Sequence, residues 1–199
     1  TPFPCPIEVA ILVWEWGAYY TKEALEQGLD VKISTWARMA PNTLPTMTKC
    51  VANYANSQLV KMEASVEGYD EGIALDTDGN LSEGSGQNVF IVRDGIIYTP
   101  PIASSVLLGI TRDSAIVLAK ELGYEVREQS LPRETLYLAD EVFFVGTAVE
   151  VTPIRSVDKI KVGKGSCGPI TRKIMDRFSE IVSGRKPDTH GWLLNVNST

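Results

Sequence analysis

Histidine is almost missing from this chain of 199 residues; His190 is its single example. A triad built on histidine, or a histidine metal site, would have to use that one residue near the C-terminal end, so neither fits. Cysteine is nearly as scarce. Cys5, Cys50 and Cys167 are odd in number and far apart, which argues against a disulfide framework or a zinc site and fits a reducing, cytoplasmic setting. An excess of positive charge is also lacking: 19 basic residues against 25 acidic ones leave a net charge of −6, which speaks against a nucleic-acid footprint. No apolar run approaches the roughly 18 residues needed to cross a bilayer. The opening Thr1-Pro-Phe-Pro-Cys-Pro has neither the basic nor the apolar region of a signal peptide. No metal, nucleic acid or membrane is therefore expected.

What remains is an ordinary globular balance, 44% hydrophobic and 22% charged, long enough for one good-sized core. Ile7 to Trp14 is an apolar, β-branched run that reads as a buried strand, already in mid-sheet. With Thr1 in place of an initiator Met, it suggests a piece or processed product of something longer. Trp16-Gly-Ala-Tyr19-Tyr20 reads as an aromatic loop, and Val31 to Arg38 alternates like a strand. Pro41 and Pro45 make a loop, after which a helix is predicted from Thr46 to about Glu67, with Met47, Val51, Tyr54, Ala55, Leu59 and Met62 near helical spacing. A strand is expected at Glu71 to Leu75, a turn at Asp76 to Asn80, and a hairpin around Asp94-Gly95. Further on come a helix over Thr111 to Leu122 stopped by Gly123, a strand over Tyr124 to Ser130 and a helical turn over Arg133 to Ala139. A buried strand at Glu141 to Gly146, two short strands within Ile154 to Val162 and an amphipathic helix over Gly168 to Ser183 complete the pattern. Strands and helices intermix throughout, which makes residues 1–199 a single α/β domain.

Three segments carry chemistry. Lys49 follows a Pro-containing loop, flanked by small Thr48, Cys50 and Ala52. Most lysines are solvent-facing, but a lysine amine is also what pyridoxal chemistry needs as an internal Schiff base and proton-transfer base. Tyr54 lies five residues on. In Leu81-Ser-Glu83-Gly-Ser-Gly-Gln-Asn88 the glycines let backbone approach a ligand closely. There Glu83 is either a solvated hairpin residue or a carboxylate for a pyridine nitrogen. Gly109-Ile110-Thr111 opens a helix, where backbone N–H groups and the positive helix end suit a phosphate; a plain helix cap is the blander reading. Gly146-Thr147-Ala148 offers a second, weaker anion site. Lysine amine, placed carboxylate and Gly/Thr cradle, in this order, are the parts of a pyridoxal 5'-phosphate site.

As a set, these residues closely resemble the branched-chain amino acid aminotransferases among the fold-type IV pyridoxal phosphate enzymes. The resemblance rests on Trp16-Gly-Ala-Tyr19, Ala40-Pro-Asn-Thr, Lys49 with Asn53-Tyr54, and Ser82-Glu83-Gly-Ser-Gly-Gln-Asn88. It extends through Gly109-Ile-Thr-Arg-Asp113, Tyr137-Leu-Ala-Asp-Glu-Val-Phe143, Gly146-Thr147-Ala148 and Cys167-Gly-Pro169 to nearly the whole chain. It implies the large domain of that fold, a mixed-sheet α/β pseudo-barrel with surrounding helices, without the family's N-terminal small domain, which supplies an arginine to the phosphate. Lys49 would form the Schiff base, Glu83 pair with the pyridine nitrogen and Tyr54 bond the phenolic oxygen. Gly109, Ile110, Thr111 and Thr147 would hold the phosphate. Thr147 and Ala148 would hold the substrate carboxylate, and Trp16 and Tyr19 the aliphatic side chain. The implied reaction is ping-pong transamination of leucine, isoleucine or valine with 2-oxoglutarate, amino acid and 2-oxo acid being the substrates, in a homo-oligomer, dimer or higher. D-amino acid aminotransferase and aminodeoxychorismate lyase share the fold but match less well. A non-catalytic remnant that folds and associates is the alternative from another class.

Overall fold

The computed structural model describes residues 3–196. Thr1, Pro2 and the last three residues of the expected single domain lie outside the described residues. Among the described residues, nine strands form one sheet around which four α-helices pack, the first being the short α1 (Lys22–Gln27).

The sheet runs in the order β3 (Leu81–Gly84), β2 (Glu71–Leu75), β1 (Leu29–Ile33), β8 (Glu150–Val157), β7 (Glu141–Gly146), β4 (Asn88–Arg93), β5 (Ile96–Thr99), β6 (Val126–Glu128), with β9 (Ile160–Lys161) on β8. An additional pairing of β3 with β4 closes the path from β3 to β4 on itself. The result is the mixed-sheet pseudo-barrel expected from the sequence. β1 runs parallel to both β2 and β8, and β5 to β6; the remaining pairs are antiparallel.

Period-two alternation divides the core. Val89 and Ile91 of β4, with Val142 and Phe144 of β7, join one cluster with Val31, Ile73 and Leu81. The intervening Phe90, Val92, Phe143 and Val145 join a second cluster with Ala115 and Ala119 of α3 (Ile110–Glu121) and Ile174 of α4 (Pro169–Val182). Strands apolar on both faces are buried on both faces. Phe90 and Phe143 stack at 5.1 Å between centroids across the β4–β7 pair.

Several expectations are corrected. Residues 7–14 form no strand, and Ile7, Val9, Ile11 and Val13 are all about nine-tenths exposed. An apolar run shows readiness to be buried; a strand also needs a neighbour to take its backbone hydrogen bonds. The strand expected to reach Arg38 stops at Ile33, after which Ser34 and Arg38 still donate backbone bonds to Ile73 and Leu75. The helix expected from Thr46 begins as a single 3₁₀ turn over Val51–Asn53 and becomes α2 over Tyr54–Val66. Its inward face is also different: Ser57, Val60 and Ala64 are buried while Leu59 and Met62 are exposed. The small inward side chains let α2 approach β2 so closely that a Cβ on Gly72 would stand 2.7 Å from Val60 Cγ1. Leu81–Gly84, where no strand is expected from the sequence, is a buried strand, which removes the solvated-hairpin reading of Glu83. The aromatic run at Trp16–Tyr20, the hairpin at Asp94-Gly95, α3, β7 and α4 lie where the sequence placed them, within a residue or two at their ends.

Candidate active site

Lys49 precedes the 3₁₀ turn, and Asn53 fixes the loop that carries it. The Asn53 side-chain amide donates to the carbonyls of Pro45 (3.1 Å) and Thr48 (3.0 Å), its backbone N–H to Cys50. The amine of Lys49 lies 2.6 Å from the Tyr54 hydroxyl. Both residues line a cavity of about 310 Å³ whose other walls are Arg38, the Ser85–Asn88 turn, Leu107–Thr111 and Val145–Thr147. Lys49 itself is exposed toward this cavity and Tyr54 half-buried.

Glu83 stands opposite Asn88 in the β3–β4 pair and lines the same cavity while only 5% exposed. Oε1 is 2.7 Å from the Arg38 guanidinium; Oε2 accepts from Asn88 Nδ2 (3.1 Å) and from the Leu107 backbone N–H (2.9 Å). Burial pushes this carboxyl up from 4.5 to about 7, against the downward pull of Arg38, the Leu107 N–H and Lys49. A cationic N–H beside it would favour the ionised form. Arg38 in turn bonds Asn56 Oδ1 (3.0 Å) and Ser57 Oγ (3.3 Å) of α2, while its buried Nε has no partner among the described residues.

The start of α3 completes the cavity. Gly109 is its N-cap, no side chain caps the first turn, and Gly109, Ile110 and Thr111 all line the cavity. Uncapped N–H groups at the positive end of a twelve-residue helix are a ready anion site. Gly109 is required sterically: a Cβ there would lie 2.4 Å from Asn88 Oδ1. An amine, a buried acceptor for a ring N–H and an uncapped helix start around one cavity fit pyridoxal phosphate.

The family described as amino-transferase class IV matches residues 6–157. This chain belongs to the class IV aminotransferases. The branched-chain-amino-acid aminotransferase of Escherichia coli K12 is 57% identical over 190 residues, 96% of this chain and 62% of its own length. That of Pseudomonas aeruginosa is 44% identical over 94% of this chain and 60% of its own length. The crystal structure of the E. coli branched-chain enzyme superposes with a TM-score of 0.90 at 58% identity, covering 92% of this chain and 60% of that one. The Thermobaculum terrenum branched-chain enzyme in its PLP-form gives 0.80 at 43% identity, with 84% and 55% covered. This class IV aminotransferase chain thus spans between 55% and 62% of the length of these relatives.

Of the residues singled out in the sequence, Lys49, Tyr54, Glu83, Gly109, Ile110, Thr111 and Thr147 surround the cavity together. Ala148 adjoins it in the β7–β8 turn, outside the lining set. Trp16 and Tyr19 are not brought to the cavity; both are exposed, Trp16 stacked on Trp14 at 5.8 Å and Tyr19 edge-on to Tyr20 at 4.8 Å. Arg38, Asn88 and Leu107 were missed. Arg38 opens the motif containing Lys49, yet only the fold carries it to Glu83; Asn88 follows Glu83 at hairpin spacing and was legible as its cross-strand partner.

Proposed function

We propose that this chain carries the pyridoxal 5'-phosphate site of a branched-chain amino acid transaminase, moving the amino group of leucine, isoleucine or valine to 2-oxoglutarate. One observation carries the reading: the Lys49 amine, paired with Tyr54, faces a cavity that also holds the buried Glu83 carboxyl and the uncapped start of α3. The names of the 57% and 44% identical relatives support the substrate class. When bound, pyridoxal phosphate supplies an aldehyde that carries the amino group and a ring that takes up electrons.

The chain's own residues do the rest. Glu83 would hold the ring nitrogen in its protonated form. The backbone of Gly109, Ile110 and Thr111, with Thr147, would receive the phosphate. Lys49 would be the amine that anchors the group and moves the proton at the substrate's α-carbon, with the Tyr54 hydroxyl orienting it. Thr147 and Ala148 would bind the substrate carboxylate, and Trp16 and Tyr19, which stand outside the cavity wall, would enclose the aliphatic side chain.

Exposed Met47, Leu108 and Ile110 at the cavity edge suit coverage by a second copy, in a dimer or higher oligomer. The position of Trp16 and Tyr19 outside the cavity wall favours a second reading, a chain that binds the cofactor without turnover. The setting is cytoplasmic. The test adds pyridoxal phosphate and divides the sample: one portion is reduced with borohydride and its adduct mapped, while the unreduced portion receives leucine and 2-oxoglutarate and its glutamate is followed. An adduct on Lys49, lost in Lys49→Ala, together with glutamate release supports the proposal. A reducible adduct retained in Lys49→Ala overturns it, and an adduct without glutamate selects the non-catalytic reading.

A further inference from the structure

Glu71 on β2 has no solvent exposure, yet its carboxylate gathers donors from three separate parts of the chain. Oε2 accepts from Lys61 Nζ of α2 at 3.1 Å, from Gln87 Nε2 at 3.0 Å and from the Tyr20 hydroxyl at 3.4 Å; Oε1 accepts from the Gly72 N–H at 2.8 Å. A buried carboxylate needs such partners to offset its lost hydration. Two of the partners sit at places with a function. Gln87 belongs to the cavity wall, where its own Oε1 accepts the Gly86 N–H at 3.0 Å and its carbonyl accepts the Gly84 N–H at 2.7 Å. Tyr20 ends the aromatic segment that begins at Trp16, and its ring packs on the barrel core.

We propose that Glu71 is a positioning residue that ties the Trp16–Tyr20 segment to the Ser85–Gln87 turn of the cavity, so that the placement of the aromatic side chains and the shape of the cavity wall are set together. Gln87 is the relay. One end of its amide donates to Glu71 while the other shapes the turn, so freeing Glu71 from Tyr20 loosens the Gly86 N–H across the barrel. Burial and the adjacent carboxylate raise the Tyr20 hydroxyl well above the ordinary tyrosine range, which keeps it a donor throughout the working pH range. The consequence for substrate selection rests on the transaminase reading; the mechanical coupling does not.

The experiment is amide hydrogen exchange on the whole chain loaded with pyridoxal phosphate, resolved at Gly84 and Gly86, for the wild type, Tyr20→Phe and Lys61→Met. Tyr20→Phe removes one oxygen that lies outside the cavity lining, so it leaves folding intact and keeps the test decisive. Exchange at Gly86 is expected to quicken roughly five- to ten-fold, as the loss of one hydrogen bond to a charged group allows, while amides of the β4–β5 hairpin stay unchanged. Unchanged exchange at Gly86 in Tyr20→Phe overturns the coupling. In steady-state assays Tyr20→Phe is expected to raise KM for leucine several-fold with kcat retained; an unchanged KM beside a faster Gly86 overturns the part in substrate selection. If the chain shows no transamination and Gly86 still responds, the function falls and the coupling stands.

Discussion

Arg38 and Glu83 face each other at 2.7 Å with only 5% of each residue exposed, joining the loop after β1 to the strand that carries the cavity's carboxylate. Arg38 is held from behind by Asn56 and Ser57, so the pair also joins α2 to the cavity wall. The guanidinium occupies Oε1 while Asn88 and the Leu107 N–H occupy Oε2, and the residue still lines the cavity. In that geometry Arg38 fixes where Glu83 can offer itself to a ligand.

Removing one member of a buried pair strands the other. At about pH 8, where the Glu83 carboxyl is ionised, Arg38→Met is expected to destabilise the fold by about 3 kcal/mol, since that buried carboxylate then loses its counter-ion. Arg38→Lys should recover only part of that loss, because a lysine cannot reach Glu83, Asn56 and Ser57 at once with a planar fork. Urea unfolding of the two variants decides it; a loss below about 1 kcal/mol for Arg38→Met would show that the pair contributes little.

The Glu83 carboxyl also predicts a pH dependence. Folding raises its pKa from 4.5 to about 7, so between those values the folded chain keeps a proton that the unfolded chain has released. The stability from this group is fully present below about pH 4.5 and is lost as the pH rises through about 7. Glu83→Gln removes the titration. Its stability relative to wild type should therefore increase between about pH 4.5 and 7, by about 3 kcal/mol from the shift of some two to three pH units. A relative stability that is flat or falls over this range would mean that Glu83 is ionised in the unliganded fold throughout.

The sequence made the site legible to the extent that local spacing encodes it. Lys49 and Tyr54 are five apart and meet through one turn; Glu83 and Asn88 flank one hairpin; Gly109 and Thr111 open one helix. Arg38 to Glu83 is a long-range contact that depends on β1, β2 and β3 lying side by side, and nothing near Arg38 announces it. The failures share a cause as well. Apolarity alone marks the run at 7–14 and the outer face of α2 as core, whereas burial is decided by which neighbour is there to pack against: Ser57 and Ala64 face inward because β2 comes close, and Ile7 to Val13 stay exposed with no strand beside them among the described residues.

Gly109→Ala tests the helix start without altering any charge. The backbone at Gly109 has φ of −69°, which alanine accepts, so the effect comes from the added methyl against Asn88 Oδ1 at 2.4 Å. Asn88 cannot swing away freely, being tied to Glu83 and to the Leu107 carbonyl at 2.9 Å. A destabilisation of about 1–3 kcal/mol is expected, along with a larger relative loss of pyridoxal phosphate affinity, read by titrating the visible absorbance. Normal affinity in a well-folded Gly109→Ala protein would remove the start of α3 from the binding site.

Tyr54→Phe isolates the hydroxyl beside the Lys49 amine. The ring remains, including the face over which the amine lies 5.2 Å from the centroid, so packing is preserved and only the 2.6 Å hydrogen bond is lost. An amine freed from that contact samples more rotamers and is less often aligned for proton transfer. Turnover with leucine should fall by roughly ten- to a hundred-fold, while KM changes by less than about three-fold, because the lost interaction acts on the proton-moving group and not on the bound side chain. Rapid-mixing spectroscopy of the half-reaction with leucine separates the chemical step from release of the keto acid. A slowed half-reaction places the hydroxyl in the transfer step; an unchanged one leaves Tyr54 as no more than a wall of the cavity.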